Sequence, residues 1–124
     1  MHGYQITDSD GAVTFTTIVP GWYSGRTIHI HVMIRTLGSS GAVLTDFTTQ
    51  LFFDPTLIKA LTTSVSPCSS RGLPDTISAE DSIYSSATQL TLTNATTGGG
   101  YAVHNYRGTN NLAVLPEPVH AFAI

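Results

Sequence analysis

The sequence carries little charge and almost no cysteine. Charged residues make up 10% of the 124 residues, the formal net charge is −3, and Lys59 is the only lysine. The arginines are scattered, so the chain lacks the basic patch that marks a nucleic-acid-binding protein. Cys68 is the only cysteine, which excludes an internal disulfide and a cysteine-based zinc cluster. The chain has no run of about 18 apolar residues, so we expect no membrane-spanning helix.

Threonine, serine and glycine are abundant, and the chain is long enough for one core. A chain of this length buries roughly two-thirds of its unfolded surface on folding. Threonine and other β-branched residues fit a pleated, half-buried surface. We therefore predict an all-β protein, a β-sandwich of short antiparallel strands with one or two short helices in loops. Residues 1–124 are expected to form a single domain.

Three strands are predicted in the first half of the chain. The turn TDSDG precedes the β-branched run AVTFTTIV at 12–19, which is the first. TIHIHVMIR at 27–35 alternates apolar and polar residues and is the second. VLTDFTTQLFF at 43–53 is the third, and the short connection makes it antiparallel to the second.

Two helical segments are predicted further along. Asp54 is a plausible N-cap and Pro55 suits the first helical position, so a short helix should start here. Residues 64–77 are rich in Ser and Pro and should form a loop. Ser78 and Asp81 have capping-box spacing, which predicts one or two further helical turns.

The last third of the chain gives weaker patterns. ATQLTLTN at 87–94 is a strand candidate, and a further strand is expected within 101–106. Residues 109–124 contain two prolines and show no clear period, so we expect an irregular tail or an exposed arm.

His29 and His31 form an H-x-H pair on the second predicted strand. Residues i and i+2 of a strand project from one face roughly 7 Å apart, so the two imidazoles can approach one ion. Imidazole suits Zn, Cu and Fe. The alternative is a pair of half-buried or solvent-facing histidines, because two ligands do not make a site.

Four neighbouring residues suit such a site, and each also has a plain structural alternative. Tyr23 could supply a phenolate ligand or pack its ring at a strand end. Arg26 could neutralise an anionic substrate or form a surface ion pair. Trp22 could form an apolar wall of the site or anchor the core. Gln50, on the third strand, could donate a hydrogen bond towards the site or simply face solvent.

Taken together, these segments resemble the intradiol ring-cleavage dioxygenases, the catechol and protocatechuate dioxygenase family. The resemblance covers roughly residues 3–85 and rests on TDSDG, PGWYSGRTIHIHV and FTTQLFFDP in that order. It is strongest to the shorter versions, often exported, that carry PG-x-Y-x-GR-x-x-HIH, which favours a secreted over a cytoplasmic location. Those enzymes have a β-sandwich core and a non-haem ferric ion held by two tyrosines and two histidines.

The resemblance implies a site and a reaction. The matching positions are the metal ligands Tyr23, His29 and His31, the substrate-binding residues Trp22 and Arg26, and the glutamine Gln50. Tyr23, Arg26 and Gln50 are the residues expected to take part in catalysis. The expected reaction cleaves a catechol-type diol between its hydroxyls with O2 and gives a muconate-type diacid. Fe(III) is the expected cofactor, with Zn or Cu as substitute ions.

The sequence departs from the family pattern upstream of Tyr23. The family's other tyrosine ligand lies well before this position, whereas only Tyr4 is found among the first 22 residues here. In the family the Tyr23-type ligand leaves the iron when catecholate binds. We therefore expect weak iron binding and little or no dioxygenase activity from this chain alone, with the fourth ligand supplied by a missing N-terminal segment or by another chain. A truncated sheet has an unpaired edge, so we also expect a homodimer.

Two further functional hypotheses remain open. The chain could be a non-catalytic β-sandwich module for binding or assembly that has lost a complete metal site and holds Zn or Cu adventitiously. A metallohydrolase is the least favoured, because no carboxylate lies near the H-x-H pair in sequence. Only the distant Asp75 or Asp81 could serve as its general base.

Overall fold

The computed structural model describes residues 3–15, 17–94, 101–103 and 119–123, and these are rich in β-structure. The strands are β1 (Gly3–Ile6), β2 (His29–Leu37), β3 (Val43–Phe52), β4 (Leu92–Asn94), β5 (Tyr101–Val103) and β6 (Val119–Ala123). The described ranges contain one α-helix, α1 (Pro55–Ser64), and two short 3-10 helices, Cys68–Arg71 and Ser86–Thr88. None of the helices in these ranges combines the length and the apolar character of a membrane span. The prediction of a β-rich protein with few short helices is confirmed.

The chain divides into two compact units. The first contains Met1–Ile18, Ile30–Gln50 and Gly108–Ile124, and the second contains Val19–His29 and Leu51–Arg107.

A four-stranded sheet with the order β1-β6-β2-β3 forms the first unit. β2 and β3 are joined by a tight turn in which Gly41 has a φ of 81° and the Gly38 N–H donates to the Ala42 carbonyl. The side-chain pairs Arg35–Asp46 and Thr36–Thr45 run in opposite directions along the two strands. The second and third predicted strands and their antiparallel pairing are therefore confirmed.

The prediction of an irregular segment was wrong for residues 119–123. They form β6, which pairs antiparallel with β1 on one side and with β2 on the other. Proline disrupts a central strand because it cannot donate to the ladder, and Val119–Ala123 contains no proline. The rest of the 109–124 prediction lies outside the described residues.

The predicted strand at 12–19 was also wrong, since its described residues 12–15 and 17–19 form no strand. The side chain of Asp8 accepts hydrogen bonds from the N–H groups of Asp10 and Ala12 and closes a turn. Beyond that turn, the Gln5 side-chain amide donates to the Thr14 carbonyl at 2.7 Å. The Gln5 side chain thus occupies the Thr14 carbonyl, which would otherwise bind a neighbouring strand. The strand that pairs with β1 is β6.

The second unit contains all the buried apolar side chains among the described residues. They are Ile28, Phe52, Phe53, Ile58 and Leu90. The helix α1 starts as predicted: Asp54 is the N-cap, and its carboxylate accepts from the N–H groups of Thr56 and Leu57. Pro55 occupies the first helical turn, where a missing N–H costs nothing.

The helical turns predicted from Ser78 and Asp81 do not form, because both side chains bind residues distant in sequence. The strand predicted at 87–94 is confirmed only at its end: Ser86–Thr88 is a 3-10 helix and Leu92–Asn94 is β4. β4 pairs antiparallel with β5, which confirms a strand at 101–103, and residues 104–106 of that prediction lie outside the described ranges.

Candidate functional site

The structure brings Tyr23 and His29 together. The Tyr23 hydroxyl lies 3.4 Å from His29 Nε2, and the two rings meet edge to face with centroids 5.9 Å apart. His29 is only 8% exposed, whereas Tyr23 is 51% exposed. The oxygen and the ring nitrogen therefore converge at a point with a buried side and a solvent-facing side.

The other nitrogen of the His29 ring has a defined partner. Nδ1 lies 2.7 Å from the carbonyl oxygen of Thr27, which can only accept a hydrogen bond. The proton of a neutral imidazole therefore belongs on Nδ1, and the lone pair is left on Nε2, facing Tyr23. Phe52 packs against the same ring at a centroid distance of 5.9 Å. This is the arrangement by which proteins orient a histidine that ligates a metal.

Arg26 is held by a buried carboxylate. Its Nε donates to Asp81 Oδ2 at 2.9 Å, and the Asp81 side chain is 0% exposed. The same oxygen accepts from the Thr27 N–H at 2.9 Å, and Asp81 Oδ1 accepts from the Ile83 N–H at 2.9 Å. Arg26, Thr27, Asp81 and Ile83 form one hydrogen-bonded cluster, of which Arg26 and Thr27 lie between Tyr23 and His29 in sequence.

The protonation of Asp81 follows from these contacts. Burial by itself would raise the pKa of this carboxyl. The N–H groups of Ile83 and Thr27 and the guanidinium of Arg26 outweigh burial and hold the pKa below its ordinary value. Asp81 is therefore a carboxylate at neutral pH, and its charge offsets that of Arg26.

Asp75 fixes the turn just before Arg26. The Ser24 side chain, the Thr76 hydroxyl and the Gly25 N–H all donate to it and lower its pKa. Gly25 has a φ of 85°, a conformation that favours glycine. The sequence did not predict that Asp75 binds Gly25 or that Asp81 binds Arg26.

Trp22 lies against a different part of the second unit. Its indole N–H donates to the Gly72 carbonyl at 3.1 Å, and the Arg71 guanidinium lies 4.8 Å from the ring centroid. These contacts anchor the indole to the 3-10 helix Cys68–Arg71. Its predicted role as a wall for substrate stays a prediction.

His31 and Gln50 belong to the first unit, on β2 and β3 respectively, and both are half-buried. His31 lies two residues after His29 on the same strand, as the alternation predicts. The predicted positions of both residues on strands are confirmed, and their roles stay predictions.

The Tyr23–His29 geometry suits one shared ion. Two ligand atoms that each lie about 2.0–2.1 Å from a tetrahedral ion are roughly 3.3 Å apart. The distance between Tyr23 Oη and His29 Nε2 is 3.4 Å. A search of the described residues for groups of three or more His, Cys, Asp or Glu side chains found none placed to hold a metal. The candidate site instead combines tyrosine with histidine.

The residue that sequence reasoning missed is Asp81. Its spacing to Ser78 is that of a capping box, which predicts a helix start instead. In sequence, Asp81 lies 55 positions from Arg26. No local pattern signals a contact at that separation. The unusual feature that the sequence does show is an arginine directly before an apolar strand in a chain with few charges.

Comparison of the chain with protein-family models, with curated proteins and with solved structures found no match. The resemblance to the intradiol dioxygenases therefore stays a prediction based on its motifs.

Proposed function

We propose that this chain is a ferric-ion-binding protein of the intradiol dioxygenase type, built on a β-sandwich, with Tyr23 and His29 as metal ligands. The observation that carries the proposal is the approach of Tyr23 Oη to His29 Nε2 at 3.4 Å. The bond of His29 Nδ1 to the Thr27 carbonyl supports it, because it directs the lone pair of Nε2 towards the tyrosine oxygen.

The side chains of this site have separate tasks in the proposal. A bound ferric ion would supply a Lewis-acidic centre that binds a catechol as its dianion and makes the ring reactive towards O2. His29 presents a neutral nitrogen, and Tyr23 presents an oxygen that ligates as a phenolate. The guanidinium of Arg26 offsets negative charge that develops on the substrate. Gln50 is the proposed hydrogen-bond donor to the bound substrate.

The exposures of the two ligands support access by a small aromatic molecule. His29 is buried against Phe52, so it can hold an ion in a fixed position. Tyr23 is about half exposed, so a small diol could approach the site from the side of its hydroxyl. Trp22, in the same turn, is the proposed apolar contact for the ring.

Ferric reconstitution tests this proposal. The protein with an excess of ferric iron is expected to develop a burgundy colour from tyrosinate-to-iron charge transfer, which catechol should shift. Tyr23→Phe should abolish the colour, because it removes the phenol, and Tyr4→Phe is the matched control that should keep it. Iron at 100 times its Kd should stabilise the wild-type protein by about 2.7 kcal/mol and raise Tm by roughly 10 °C.

The double variant His29→Ala, His31→Ala should show neither the colour nor the gain in Tm. O2 consumption with catechol measures turnover separately from binding. A wild-type protein that is colourless and contains no iron by elemental analysis after reconstitution would contradict the proposal.

The second candidate function is an assembly module, and the exposed apolar side chains of the first unit favour it. β3 is the end strand of the described sheet, and it exposes Val43, Leu44 and Phe47. Its only charged residue, Asp46, already pairs with Arg35. Natural edge strands usually carry charges or proline that prevent pairing with another chain. β3 lacks this protection, so we propose that two copies associate through it.

Sedimentation velocity over a wide concentration range tests this association. The wild-type protein should sediment as a dimer at high concentration, and Phe47→Glu should shift it to a monomer, because a charge would be buried at the pairing edge. Ile6→Glu, on the opposite edge strand β1, is the control that should leave the dimer intact. A wild-type monomer at all concentrations would rule out the association.

A further inference from the structure

The loop at residues 75–83 contacts residues 25–27, which lie between the candidate ligands Tyr23 and His29, at several points. Asp75 accepts from the Gly25 N–H at 3.2 Å, and the Ser78 hydroxyl lies 3.4 Å from that of Thr27. Asp81 accepts from both Arg26 and Thr27. About 50 residues of chain separate the loop from the turn, so these contacts belong to the tertiary structure.

Asp81 is the centre of these contacts. Its side chain is completely buried, and its two oxygens accept three hydrogen bonds. A buried carboxylate with such partners is fixed, and it fixes its donors in turn. Hydrogen bonds to a charged group are also about twice as strong as neutral ones.

A continuous chain of bonds leads from Asp81 to the candidate ligands. Asp81 accepts from the N–H of Thr27, and the carbonyl of Thr27 accepts from His29 Nδ1. His29 Nε2 then lies 3.4 Å from the Tyr23 hydroxyl. A shift of the Thr27 backbone would therefore rotate the His29 ring or change the nitrogen that carries its proton.

We propose that Asp81 is the positioning residue of the site: it fixes the Arg26 guanidinium and, through the Thr27 backbone, the tautomer and orientation of His29. Asp81 reaches His29 through the backbone of Thr27. An effect of Asp81 on metal binding rests on the proposed function, whereas its effect on the position of the His29 ring does not.

The metal-free protein provides the first test. ¹⁵N spectra of the imidazole should show His29 in a single form with the proton on Nδ1. In Asp81→Asn the His29 signals should shift towards a mixture of the two tautomers. The Thr27 amide should be protected from hydrogen exchange in the wild-type protein and exchange roughly 10-fold faster in the variant.

Asp46→Asn is the matched control, because it removes the carboxylate of the other arginine–aspartate pair, Arg35–Asp46. It should leave the His29 signals and the Thr27 amide unchanged. A folded Asp81→Asn variant with wild-type His29 signals would overturn the proposal. If that variant does not fold, the wild-type protein still tests the proposal. Rapid exchange of its Thr27 amide, or a mixture of His29 tautomers, would overturn the proposal equally.

Metal titration is the second test and separates the two proposals. If the wild-type protein binds Fe(III), Asp81→Asn should bind it about 10- to 100-fold more weakly, as is usual when a residue that orients a ligand is lost. Unchanged affinity in the folded variant would overturn the positioning role. A wild-type protein that binds no iron contradicts the proposed function but leaves the metal-free result standing.

Discussion

Phe52→Ala is expected to destabilise the protein by about 3–5 kcal/mol, which is the usual cost of removing a buried phenylalanine ring. Phe52 is 1% exposed and is the largest fully buried side chain in the described residues. The free energy of unfolding of a domain is only about 5–15 kcal/mol, so the variant should lose a large part of its stability. Urea denaturation of both proteins at neutral pH measures the difference.

The large effect has a specific cause in the contacts of Phe52. Its ring packs edge to face against Tyr84 at 5.2 Å and lies 5.9 Å from the His29 ring. Its carbonyl accepts from the Leu90 N–H at 2.7 Å, which ties β3 to the segment before β4. Removal of the ring leaves a cavity beside His29, so the His29 ring should lose a packing partner.

Phe47→Ala is the matched control on the same strand. Phe47 is 44% exposed, so in the monomer at low protein concentration its truncation should cost less than about 1 kcal/mol. A Phe52→Ala variant within 1 kcal/mol of the wild-type protein would show that Phe52 is not part of a tightly packed core. A large loss for Phe47→Ala would instead point to burial of that face in an assembly.

The parts of the fold that follow from local rules could be predicted from the sequence. The β2–β3 hairpin follows from alternation and a short glycine-containing turn, and α1 follows from Asp54 and Pro55. The errors at 12–19 and 119–123 have a common origin. The segment that pairs with β1 is decided by contacts across most of the chain, which local patterns do not contain.

The candidate site shows the same division between local and distant information. Tyr23 and His29 lie within seven residues, so their approach could be predicted from spacing. The partner of Arg26 could not, because Asp81 lies 55 residues away and its local pattern indicates a helix cap. The role of the Thr27 carbonyl could not be predicted either, because every residue has a backbone carbonyl and the residue type does not show which one binds a histidine.

Asp81→Asn is expected to lose about 3–5 kcal/mol at pH 7, because it removes one partner of a buried ion pair and leaves Arg26 largely enclosed. The Arg26 side chain is 19% exposed and that of Asp81 is 0% exposed. An asparagine has one acceptor oxygen, so it cannot accept from Arg26, Thr27 and Ile83 as the carboxylate does. Urea denaturation at a series of pH values measures this difference.

The difference between the two proteins should depend on pH in a defined direction. The folded-state pKa of Asp81 is below its ordinary value of about 3.9, so folding favours the charged form. The stability that Asp81 contributes is therefore complete above pH 4–5 and is lost as the pH falls below about 4 through the folded-state pKa. Asparagine does not titrate, so the gap between wild type and variant should narrow between pH 5 and pH 2.5.

Asp46→Asn separates this effect from general acid destabilisation. The Arg35–Asp46 pair is exposed, with side-chain exposures of 33% and 43%, so its loss should cost at most about 1 kcal/mol at any pH. A gap between wild type and Asp81→Asn that stays constant from pH 7 to pH 2.5 would mean that the charge of Asp81 adds nothing. The stability of the cluster would then come from shape and neutral hydrogen bonds alone, and Arg26 would be held without a countercharge.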